Sequence, residues 1–184
     1  MINATVTLIG PGGAGKSTIG AALAARLGTA FVDLDRRFEA QAGDIGEYIS
    51  RFGYYAYTRQ NIETYRALIA GSGPCVAALS SGFMTYSRHM HPEYARLRRA
   101  IERRRTTFVL IPSLHREVCV AEIVRRQATR PFARPPEREE AVIRERFAIY
   151  AGLRARKIET MRPVAAIVGE LAAAVGGTSR TIAV

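Results

Sequence analysis

The sequence predicts a three-layer α/β fold: a five-stranded parallel sheet with helices on both faces and a mobile lid. Three observations carry this. Short apolar, β-branched runs alternate with helical patterns along the chain. Each run is continuously apolar, as strands covered on both faces require. A glycine-rich segment, Gly10-Pro11-Gly12-Gly13-Ala14-Gly15-Lys16-Ser17, joins the first run to the first helix.

The elements follow in order. Thr5–Ile9 is a strand pattern that ends in the glycine loop, and the Ala/Leu-rich stretch Lys16–Leu27 reads as a helix. Ala30–Val32 repeats the strand signal and stops at Asp33-Leu34-Asp35. Two helices are expected next, Arg36–Phe52 and Tyr54–Ala70, before Gly71-Ser72-Gly73-Pro74 breaks the chain. A third strand, Cys75–Leu79, stops at Ser80-Ser81-Gly82; a helix near Glu93–Arg104 leads to a fourth, Thr107–Ile111; a further helix covers Leu114–Arg126. Residues 127–140, rich in Pro and Arg, read as the flap. A long helix to Lys157, a brief apolar stretch and a last helix, Val164–Val175, complete the pattern, with 176–184 frayed.

The 184 residues fit one domain, 1–184, able to bury a core without staples. Nothing approaches the roughly 20 apolar residues of a membrane span, and Met1–Gly10 lacks a basic leader, so a cytoplasmic protein is expected. Cys75 and Cys119 have no metal-type spacing and read as buried free thiols. His89 and His91, flanking Met90, read as a surface loop. The net charge of +11 raises nucleic acid as a partner, but the arginines gather in Arg96–Arg105 and Arg125–Arg156 without interleaved aromatic platforms. A nucleic-acid partner is not expected; a monomer or weak dimer is.

The glycine segment satisfies G-x-x-x-x-G-K-[ST] between a strand and a helix, the context that motif requires. Backbone N–H groups of Gly10, Gly12, Gly13, Ala14 and Gly15 can converge on phosphates, and the helix opening at Lys16, Ser17 and Thr18 adds its positive end. Lys16 would bridge the β- and γ-phosphates of ATP, and Ser17 would give its hydroxyl to Mg²⁺. Asp33 and Asp35, at a neighbouring strand end, can face one metal and one nucleophile; a helix cap is the plainer reading of such a pair.

With these motifs in this order, and Glu39 following, the chain from Thr5 to about Leu171 resembles the shikimate kinase family of small P-loop kinases. The resemblance implies that Asp33 helps hold Mg²⁺ through water and that Asp35 contacts the acceptor hydroxyls and the transferring proton. Arg130-Pro131-Phe132 resembles the family's R-P-L-L lid segment, which implies that Arg130 reaches the ATP phosphates when the lid closes. Arg126 is similar to an arginine lying against adenine, though solvated surface reads equally well. Pro163 falls in a shortened counterpart of the adenine-side loop.

The departures lie on the acceptor side. An ungapped comparison places Tyr57, Thr58 and Asn61 where the family has a phenylalanine, a carboxylate-gripping arginine and a glutamate. Arg59 and Glu63 lie close by. Ser80-Ser81-Gly82 replaces a triple glycine, so Ser81 and Gly82 become acceptor-side candidates. Matching the family's P-L-Y to Ala151-Gly152-Leu153 leaves Tyr150 in place of a second carboxylate-binding arginine, with Arg146 and Arg154 one turn to either side and able to substitute for it. Charge-assisted hydrogen bonds contribute roughly 1.5–3 kcal/mol each, so losing both arginines points away from shikimate and toward a small polar molecule that offers a hydroxyl. The alternatives are a true shikimate kinase and an inactive nucleotide-binding regulator.

Overall fold

A computed structural model describes residues 2, 4–71, 73–127 and 136–178. Strands β1 (Val6–Ile9), β2 (Ala30–Asp33), β3 (Cys75–Ala78), β4 (Thr107–Ile111) and β5 (Arg156–Glu159) form one parallel sheet in the order β2-β3-β1-β4-β5. Since all strands point the same way, every loop that follows a strand opens at one edge. In this order β1 lies at the centre, paired with β3 on one side and β4 on the other.

The helices are α1 (Lys16–Leu27), α2 (Leu34–Ala42), α3 (Ile45–Gly71), α4 (Tyr94–Arg103), α5 (Arg116–Gln127), α6 (Pro136–Gly152) and α7 (Val164–Thr178). Side chains alternate across the sheet, as the strand period of two requires. Val6, Leu8, Phe108 and Leu110 face α1 and α7, with Leu23, Ile167 and Leu171 packed on them. Ile9, Ala77 and Val109 face the other layer, where Phe38, Tyr65, Phe83 and Tyr94 fill the core. Gly20 of α1 allows that helix close to the sheet, because a Cβ there would stand 2.4 Å from the Phe31 ring.

Several boundaries differ from expectation. The chain breaks at Gly43 as well as at Gly53, so α2 is shorter than expected, while the expected break between Phe52 and Tyr54 is present as non-helical backbone at Gly53 (φ 83°, ψ 161°) within the span of α3. Helix α6 ends at Gly152 instead of reaching Lys157, since Arg156 and Lys157 already belong to the edge strand β5. The ends of the flap are helical: Gln127 closes α5 and Pro136 opens α6, while 128–135, with Arg130, lie outside the described residues.

His91 is not a surface residue. It is buried, its Nδ1 accepts from the Glu93 N–H, and its Nε2 lies 2.8 Å from Glu63 Oε1, which ties the loop before α4 to α3. Cys75 and Cys119 are buried and free, and burial pushes both thiols up from their ordinary range. Among the described residues no helix is long and apolar enough to cross a membrane.

Candidate active site

The P-loop leaves the central strand β1 at Gly10. A Cβ on Gly10 would stand 2.1 Å from the Leu110 carbonyl oxygen, so only glycine lets the loop pass β4 this closely. Gly13 (φ 76°) and Gly15 (φ 90°) take left-handed backbone, and Gly15 caps α1. The α1 N-terminus, with its unpaired N–H groups, therefore points at the space beyond the sheet edge. Lys16 Nζ donates to the carbonyls of Gly10 (2.8 Å) and Pro11 (2.9 Å), which holds its charge over the loop.

Asp33 ends β2 beside this loop. Its Oδ2 accepts from Ser17 Oγ at 2.6 Å, and its Oδ1 accepts from the Asp35 N–H at 3.1 Å, capping α2. Both the cap and the metal readings of Asp33 are thus compatible with one geometry: a hydroxyl and a carboxylate oxygen side by side are the hard donors that a divalent cation with phosphate ligands takes. Asp35 lies in the first turn of α2. Burial raises its pKa above the ordinary carboxylate value; a hydrogen bond from Ser80 opposes this, the Asp33 charge adds to it, and Lys16 opposes it. Gly12, Gly13, Gly15, Lys16, Ser17, Thr18, Asp33, Asp35 and Ser81 line one cavity of about 140 Å³.

Arg126 reaches this loop from α5. Its Nε donates to Glu122 (2.7 Å), its Nη1 to the Gly13 carbonyl (3.1 Å) and its Nη2 to the Thr160 carbonyl (3.2 Å). It thereby braces the P-loop against the β5–α7 loop, in which Pro163 is exposed.

On the acceptor side the candidates part company. Thr58 is fully buried and donates to the Tyr55 carbonyl of its own helix at 2.8 Å. Asn61, also fully buried, donates to Ser80 Oγ (2.9 Å) and Tyr86 Oη (2.8 Å). Tyr57 joins this polar cluster, and burial, with the Asp35 charge adding, pushes its hydroxyl up to about 12. Neither Thr58 nor Asn61 lines the cavity; Asn61 donates to Ser80, which hydrogen-bonds Asp35 on the cavity wall. Arg59 is exposed and lies over the Tyr55 ring.

Tyr150, which the ungapped match puts in place of the family's arginine, comes from α6. It is fully buried, and its hydroxyl donates to the Ser81 carbonyl at 2.9 Å. The guanidinium that reaches the site is that of Arg146, one helical turn earlier, whose Nη1 donates to Ser81 Oγ at 3.1 Å. The signal that would have found it is the tyrosine: placing the Y of P-L-Y on Tyr150 moves the arginine position to within a residue of Arg146.

A protein-family model described as shikimate kinase matches residues 12–175. Among curated relatives, the shikimate kinase of Cereibacter sphaeroides is 32% identical over 156 residues, 80% of this chain and 70% of that protein. That of Paramagnetospirillum magneticum is 44% identical over 82 residues, 44% of this chain and only 42% of the relative's length. The structure of a shikimate kinase from Acinetobacter baumannii in complex with shikimate shares the fold, with TM-score 0.74 and 22% identity over 97% of this chain and 95% of that one. A gluconokinase from Sinorhizobium meliloti matches more loosely, with TM-score 0.55 and 16% identity over 98% of this chain and 96% of that one. Fold, phosphate loop and family model agree: the chain belongs to the shikimate kinase family of P-loop kinases.

Proposed function

We propose that this chain transfers the γ-phosphate of ATP, with Mg²⁺, to a hydroxyl of a small polyhydroxylated acceptor, and that shikimate is a slow acceptor. The observation that carries the reading is the single cavity in which the P-loop, the Ser17–Asp33 pair and Asp35 meet, with Ser81 on its wall. Backbone N–H groups and the α1 N-terminus hold the phosphates, and Lys16 balances charge as the transferring group leaves ADP. Ser17 and Asp33 would hold the cation, whose role is to neutralise phosphate charge. Asp35 orients the acceptor hydroxyl and takes its proton as the new O–P bond forms. We assign this activity to one cytoplasmic domain, monomeric or weakly dimeric, with Arg130 contributing from the lid.

The preference against shikimate rests on Thr58 and Asn61, which bring no charge to the acceptor side and are buried among protein partners. A second reading, shikimate itself as acceptor, is favoured by Arg146, which supplies one guanidinium beside Ser81. ADP release measured with shikimate, quinate, gluconate, myo-inositol, sorbitol and nucleosides separates the two. Turnover of another acceptor, with kcat/KM for shikimate below about 10⁴ M⁻¹s⁻¹, supports the first. A shikimate value above that establishes the second, and no ADP release with any compound removes both.

A further inference from the structure

Ser80 follows β3 on a backbone held from both sides. The Leu79 N–H donates to the Leu8 carbonyl of β1, and the Ser80 carbonyl accepts from the Phe83 N–H, each at 2.9 Å. The side chain is buried between Asp35 of α2 and Asn61 of α3.

A serine hydroxyl has one hydrogen to give and two lone pairs to receive with. Asn61 Nδ2 donates to Ser80 Oγ at 2.9 Å, which leaves the one Ser80 hydrogen for Asp35, to which Ser80 is hydrogen-bonded. The same Nδ2 donates to Tyr86 Oη at 2.8 Å, whereas Asn61 Oδ1 is buried and has no partner among the described residues. Asn61 thus serves as a donor only and leaves a buried carbonyl unsatisfied. Turning the amide over would point Oδ1 at Ser80 and draw the serine hydrogen away from a carboxylate. That exchanges a charge-assisted bond for a neutral one of roughly half the strength. Having accepted from Asn61, Tyr86 gives its own hydrogen to Tyr57, which neighbours Ser80 in turn. The donors of the cluster therefore run toward its Asp35 side, and buried chains of this kind strengthen one another.

We propose that Ser80, set by Asn61, is a positioning residue for the transfer: its hydroxyl fixes the Asp35 carboxylate from the protein side and leaves the cavity side of that group to the acceptor hydroxyl. This rests on the role given to Asp35 above and deepens it. Ser80 keeps its hydrogen throughout and is no relay. Both hydrogens of the Asn61 amide are committed as donors, so a proton that Asp35 takes from the acceptor has no path inward and stays there until the cavity opens to water. Two departures in the sequence become one feature, because a glutamate at 61 would take for itself the hydrogen of a serine at 80.

The test combines kinetics with carbon NMR. The chain has three aspartates, Asp33, Asp35 and Asp44, so ¹³Cγ-labelled aspartate gives three signals, of which Asp35→Asn identifies one. With whichever acceptor named above best supports ADP release, Ser80→Ala should lower kcat at least about 10-fold with KM for ATP unchanged. Asn61→Asp, which keeps the shape but turns the donor into an acceptor, should lower kcat as much, and the double variant no further than the single ones. At one fixed alkaline pH the Asp35 signal should move in Ser80→Ala while that of Asp44 stays. Wild-type kcat in Ser80→Ala, losses that multiply in the double variant, or an unmoved Asp35 signal would each overturn the proposal. If Asn61→Asp does not fold, Ser80→Ala and the spectra still decide. No ADP release with any compound removes the kinase reading, and the Asp35 signal alone then shows whether Ser80 holds that carboxylate.

Discussion

Ser17 Oγ donates to Asp33 Oδ2 at 2.6 Å, joining the first turn after the P-loop to the end of β2. The two groups read as metal ligands are thus in place, while Asp35, two residues on, faces the same cavity under different constraints. Their substitutions should separate. Asp35→Asn should lower turnover by about 10²–10⁴ with ATP affinity kept. Asp33→Asn, which can still cap α2, should raise the Mg²⁺ concentration needed for half-maximal rate. Metal titrations of both variants check this; identical curves would refute the division of labour.

Lys16→Ala should remove ATP turnover. It also deletes two hydrogen bonds to the carbonyls of Gly10 and Pro11, which lie on the loop and not in the core. At about 0.5–1.5 kcal/mol net per bond, Tm should fall by a few degrees while the circular dichroism spectrum stays native. Retained turnover would take Lys16 out of the mechanism.

Tyr150→Phe should act on stability rather than on acceptor choice. The hydroxyl donates to the Ser81 carbonyl inside a fully buried contact, and losing it leaves that acceptor unsatisfied at a cost of about 1–3 kcal/mol. Denaturant unfolding gives the cost directly. An unchanged midpoint with altered acceptor preference would return Tyr150 to the binding site.

Acid should loosen the nucleotide side through Glu122. Hydrogen bonding from Arg125, with Arg126 adding, holds this carboxyl at about 2 against an ordinary 4.5. Because the folded value is the lower one, the stabilisation is complete above pH 4.5 and is lost as pH falls from 4.5 toward 2. Tm measured across that window should fall less steeply in Glu122→Gln than in the wild type; parallel curves would show that the pair contributes nothing.

What the sequence made legible was local. The P-loop, Ser17, Asp33 and Asp35 sit within two short segments whose spacing alone states their geometry, and the buried parallel strands announce themselves as unbroken apolar runs. Arg146 was legible only as one of two possible substitutes, with Arg154, because residues one turn apart share a helix face and periodicity cannot say which side chain brings its charge to Ser81. His91 was misread because its partner, Glu63, is distant in sequence. The strand β5 was absorbed into the preceding helix since an edge strand with Arg156, Lys157 and Glu159 around one buried Ile158 lacks the apolar run of a central one.

The strand order has a consequence for how the molecule comes apart. β1, which carries the P-loop, is hydrogen-bonded on both sides and wholly buried, whereas β2, which ends at Asp33 and leads to Asp35, is paired only with β3 and is partly exposed. Openings that begin at the rim of a sheet cost less than those that must reach its middle. Fraying of β2 would release both aspartates together and leave the glycine loop anchored, so a thermally excited molecule retains its grip on nucleotide after it has lost the means to use it. Amide exchange should therefore be faster at Phe31–Asp33 than at Thr7–Ile9.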